Sequence, residues 1–161
     1  MSPAKPDPHA LVTGLANECN SWHALLGILR EEEQALINGA ADHLALLNSH
    51  KLQQLEQLST LARTRRAQLL SLGRTPDHSG MESWLTQHGA PQDHECWQQL
   101  CEAEHMASLQ NQRIGTLIDL RLAATRQALN VLTLCAAGQG SLYDQAGLAV
   151  NPRGGRSVTA A

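Results

Sequence analysis

The chain reads as all-α, and three observations predict it. Leu, Ala and Gln make up 27, 22 and 14 of its 161 residues, and all three are good helix formers. Ile and Val total only eight and aromatics 2%, so strands lack the residues they favour. Apolar residues recur at helical spacing through most of the length, broken by Gly and Pro at a few points. The expected architecture is an antiparallel helical hairpin packed with a third long helix, with a short connecting helix and a flexible C-terminal tail. Residues 1–9 are expected to be a disordered lead-in, 10–137 the helical domain and 138–161 the tail.

Each element has its own warrant. Pro3, Pro6 and Pro8 loosen the first nine residues. From Ala10 onward, Leu15, Trp22, Leu29 and Leu36 repeat every seven residues, with Val12, Cys19 and Leu26 beside them. Asn38-Gly39 ends this helix, because Gly accepts the left-handed backbone of a helix C-terminus. A second helix is expected from Asp42, as N-cap, to Gly73, carrying Leu44, Leu47, Leu52, Leu55, Leu58, Leu61, Ala62 and Leu69. The short link between the two helices predicts an antiparallel hairpin. Gly73, Pro76, Gly80, Gly89 and Pro91 punctuate the next stretch, leaving room for a short helix over Met81–His88 anchored by Trp84 and Leu85.

The longest pattern runs from Gln92 to Ala137. One stripe is Leu100, Ala107, Ile114, Arg121, Ala128 and Cys135; its companion is Ala103, Gln110, Leu117, Ala124 and Val131. Small residues and two polar interruptions suit close but imperfect packing. The second half has a further apolar face, Ile118, Leu122, Leu129 and Leu132, turned by about 100°. A helix apolar on two faces buries both or leaves one available. A three-helix core would bury both; a groove accepting an amphipathic helix from another protein would leave one open. After Gly138 the last residues are Gly-rich. Their one aromatic, Tyr143, is either incidental or a linear anchor for a partner.

Several function classes fall away. The formal charge of −3 argues against nucleic acid as a partner. No apolar run reaches the ~20 residues of a membrane span, and the N-terminus lacks signal-peptide form. The four cysteines form no C-x-x-C pair and read as reduced thiols. His94, Cys96, Cys101 and His105 lie close in sequence, but at 100° per residue Cys96 points away from the others. One helix cannot wrap all four around a tetrahedral metal, so neither metal nor cofactor is expected. No nucleophile–base motif or phosphate-cradling loop is present, so the chain is not read as an enzyme. Glu31-Glu32-Glu33 reads as a solvated helix face, the alternative being a run that helps choose a basic partner.

Two segments resemble a known family. The first runs Glu33-Gln34-Ala35-Leu36 to Asn38-Gly39, followed by Leu44, Leu47, Lys51, Leu55, Leu58 and Arg65. The second starts at Asn111-Gln112-Arg113 and continues through Leu117, Leu120-Arg121-Leu122, Thr125 and Gln127-Ala128-Leu129-Asn130-Val131-Leu132. A Gly-containing break follows, then Leu142-Tyr143, Gly147 and Gly155-Arg156-Ser157. Over nearly its whole length the chain resembles the FlgN-like bacterial flagellar export chaperones. It departs from many relatives at Asp144, where they have Gly. The resemblance implies a cytoplasmic chaperone that binds the C-terminal helical segments of hook-filament junction proteins, of FlgK and FlgL types, and docks on the cytoplasmic domain of the export gate. It further implies that Ile114, Leu117, Ile118, Leu122, Leu129 and Leu132 bind the exported client, and that Tyr143 docks on the gate. The alternative is a coiled-coil adaptor with no export role; the sequence leaves a homo-oligomer open, and an obligate homodimer unable to bind junction-protein ends would favour the adaptor.

Overall fold

The computed structural model describes residues 8–140 and contains four helices. Helix α1 spans Pro8–Asn38, α2 Ala41–Ser71, α3 His78–His88 and α4 Pro91–Gly140. The expected all-α class and its hairpin are therefore observed. The expected lead-in 1–9 and tail 138–161 fall largely outside the described residues. Helix α1 begins two residues earlier than the apolar pattern does, at a proline. Proline suits the first turn, because its missing N–H would have no intrahelical acceptor there.

The link between α1 and α2 turns at Gly39, whose φ of 72° lies in the left-handed region. Ala40 N donates to Ala35 O, closing the end of α1. Asp42 was the expected N-cap of α2, but Ala40 holds that place and has no side chain to cap with. Asp42 instead sits in the first turn, where its charge favours the helix dipole. Gly73, at φ 70°, ends α2 as its sequence position predicts. Helix α3 starts three residues earlier than expected. Its N-cap, Asp77, accepts from Gly80 N at 2.8 Å. That bond, with a second from the Thr75 hydroxyl, holds the Asp77 carboxyl below its ordinary range.

The described residues fall into two compact units, 8–118 and 119–140. In the first, two adjoining clusters form the core. One joins Leu11, Leu15 and Cys19 of α1 to Leu69 of α2, to Met81, Trp84 and Leu85 of α3, and to Trp97 and Leu100 of α4. The other joins Leu25, Leu26, Leu29 and Leu36 of α1 to Leu58 of α2 and to Ala103, Ala107 and Ile114 of α4. The heptad of α4 is thus buried where it meets the hairpin, and the small Ala103 and Ala107 let the helices approach.

Polar ties set the register. Arg65 of α2 grips buried Glu18 of α1 with two hydrogen bonds, Nε–Oε2 at 2.8 Å and Nη2–Oε1 at 3.2 Å. The same guanidinium lies over the Trp97 ring of α4, 5.0 Å from its centroid. Near the hairpin turn, Lys51 Nζ pairs with Glu32 Oε2 at 2.9 Å. Gln110 Nε2 donates to Glu33 Oε2 at 2.6 Å, and Arg113 lies 3.9 Å from the same carboxylate. The reading of Glu31-Glu32-Glu33 as a solvated face is therefore corrected for two of the three. Glu32 ties α1 to α2 and Glu33 ties it to α4, while Glu31 stays exposed.

Removing one partner of a buried ion pair strands the other's charge. Glu18→Ala is expected to cost about 3–5 kcal/mol in urea unfolding. A loss below about 1 kcal/mol would show that Arg65 finds water instead.

Candidate functional site

Burial along α4 changes abruptly. Leu100, Ala103, Ala107 and Ile114 are buried and Leu117 is half-buried against the second cluster. From Ile118 to Ala137 every side chain is exposed. A three-helix core covering both apolar faces would have buried this stretch, and it does not.

The six side chains expected to bind a client therefore divide. Ile114 is only 2% exposed and fills the core between α1 and α4. Leu117 packs at the edge of that cluster. Ile118, Leu122, Leu129 and Leu132 are 39%, 49%, 57% and 65% exposed. At 100° per residue these four lie within one narrow stripe of α4, with Thr125 between them. A second exposed set, Leu120, Val131 and Leu134, lies on the far side of the helix. Tyr143 lies outside the described residues.

This surface has little polar chemistry to direct catalysis. Between 119 and 137 the charged residues are Asp119, Arg121 and Arg126 alone. Such a helix offers apolar area and shape, which is what an amphipathic helix needs from a partner. Its own backbone is satisfied by the helix, so its apolar side chains can stay in water without unpaired polar groups beneath them.

The residues that looked metal-like take other roles. His94 Nε2 lies 3.1 Å from Leu85 O, at the join of α3 and α4. Cys96 meets Cys19 of α1, and burial pushes its thiol up to about 11. Burial also raises the Cys19 and Cys101 thiols. Protonated, part-buried thiols pack as small apolar groups, and all four cysteines are free of disulfides. Among the described residues, no group of three or more His, Cys, Asp or Glu side chains is placed to hold a metal ion. Nor is any described helix long and apolar enough to cross a membrane.

The described residues thus define a class by fold, an all-α bundle with an exposed apolar stripe on its last helix. The family model described as FlgN protein matches residues 1–151, and the chain belongs to the FlgN family. That family places it among the non-enzymatic chaperones of flagellum biogenesis. No curated protein and no solved structure matches the chain.

The exposed stripe contributes nothing to the core, and substitutions there should leave the fold intact. Leu122→Ala combined with Leu129→Ala is expected to change unfolding free energy by no more than about 0.5 kcal/mol per site. A drop of several kcal/mol, read by circular dichroism in urea, would mean that the stripe is covered in solution.

Proposed function

We propose that this chain binds the C-terminal helical segments of FlgK- and FlgL-type junction proteins in the cytoplasm and delivers them to the flagellar type III export gate. The observation that carries the reading is the exposed stripe Ile118, Leu122, Leu129 and Leu132. It is long enough to receive several turns of an amphipathic helix and holds no group that would repel one. Leu117 borders the stripe, whereas Ile114 supports it from inside the bundle. Tyr143 is proposed as the gate-docking residue, in keeping with its match to the family's tail pattern.

The physical logic concerns assembly. A junction-protein end with an apolar helical face would associate with its own kind before export. Folding that face onto α4 hides it. Ordering a disordered segment consumes about 2–5 kcal/mol of the interaction, which keeps the complex near the micromolar range, about −8 kcal/mol. Binding of that strength protects the client yet allows release without a nucleotide. The adaptor reading draws on the second exposed set, Leu120, Val131 and Leu134, which could pair with another coil.

Calorimetric titration with a junction protein's C-terminal helical peptide, with circular dichroism alongside, tests the proposal. The expected result is one-to-one binding with helicity gained, weakened about tenfold or more by Leu122→Ala with Leu129→Ala. No binding at tens of micromolar, together with a client-independent homodimer, would replace the chaperone reading with the adaptor.

A further inference from the structure

Within the unit 8–118, an open cleft of about 270 Å³ separates α2 from α4, with α1 as its floor. Trp22, Leu25 and Leu29 form that floor, and Leu55 stands on the α2 side. The rims carry opposite charges. Lys51 is held at the α2 rim by Glu32, 2.9 Å away. Glu104, exposed and in no ion pair among the described residues, stands on the α4 rim with Ser108 and Asn111.

Trp22, half-buried, is the largest side chain lining the cleft. The α4 side has a backbone feature, Gly115. Glu104, Ser108, Asn111, Gly115 and Ile118 follow one another at helical spacing on a single face of α4. Gly is among the least favourable residues inside a helix. A Cβ at 115 would meet nothing within 4 Å, so no packing among the described residues calls for glycine there. Its lack of a side chain lets an approaching backbone come close.

We propose that this cleft and the α4 face through Gly115 form a second seat for the exported client, one that takes an amphipathic helix. A large apolar side chain of that helix enters the cleft, and a basic side chain beside it meets Glu104. The occupant's backbone passes closest at Gly115. Charge complementarity favours such an occupant, because residues 8–118 carry seven Lys and Arg against twelve Asp and Glu. The proposal rests on the client-binding reading and extends it into the bundle.

Gly115→Gln and Glu104→Lys in the full chain test it, against the same junction-protein peptide by calorimetry. Gly115→Gln is expected to keep or raise the thermal midpoint, since the new side chain meets open space, and yet to weaken binding tenfold or more. Glu104→Lys is expected to weaken it several-fold, with Glu104→Gln intermediate. Wild-type affinity in both Gly115→Gln and Glu104→Lys, alongside lost affinity in Leu122→Ala with Leu129→Ala, overturns the second seat and leaves the chaperone reading standing. Absence of binding by the wild-type chain overturns both.

Discussion

A mismatch of helix lengths governs this protein. The hairpin helices are 31 residues each, whereas α4 has 50. At 1.5 Å per residue the difference is nearly 30 Å of helix. Burial on α4 stops at Ile114 and Leu117, and every side chain from Ile118 to Ala137 is exposed. The heptad continues past the last buried position. Among the described residues the second half of α4 thus presents an exposed apolar stripe, which is the surface the proposed binding role uses.

Such a helix needs a firm base. The two core clusters supply the apolar area, and the polar ties decide which residues face each other. Arg65 is central among these, since its guanidinium bonds Glu18 of α1 and covers Trp97 of α4. Buried ion pairs seldom add much net stability over an apolar replacement. Their value here is register, because a slip of one turn along the hairpin would strand both charges. Glu32 with Lys51 repeats that alignment nearer the turn. The base also presents its own recognition features, the cleft above Trp22 and the bare face at Gly115.

Much of the fold was legible because it follows from local patterns. Gly39 and Gly73 end their helices in left-handed backbone, as their places in the sequence require. The stripe at Leu15, Leu29 and Leu36 is buried, and so are Leu100, Ala107 and Ile114. Helix starts were less legible. Ala40 caps nothing, so no residue type announces it; Asp77, following Pro76, was a readable N-cap signal for α3. Glu32 and Glu33 were missed because their partners lie 19 and 77 residues away in sequence, and a charge run carries no record of a distant lysine or glutamine. In the hairpin's register, though, Lys51 falls opposite Glu32 as Arg65 falls opposite Glu18. For the site, periodicity placed Ile118, Leu122, Leu129 and Leu132 on one face. Periodicity placed Ile114 on the core stripe instead, where it is buried; its client role came from the resemblance alone.

The central claim is that the exposed part of α4 is the surface a client covers. Hydrogen exchange followed by mass spectrometry, with and without a junction protein's C-terminal helical segment, tests it most directly. A segment that opens at little free-energy cost exchanges readily, and a bound partner raises that cost. The account predicts slower exchange over residues 118–132 when the client segment is added, with little change around Leu11, Leu15 and Leu69. Unchanged exchange over 118–132 under saturating client, with protection appearing elsewhere, would contradict it.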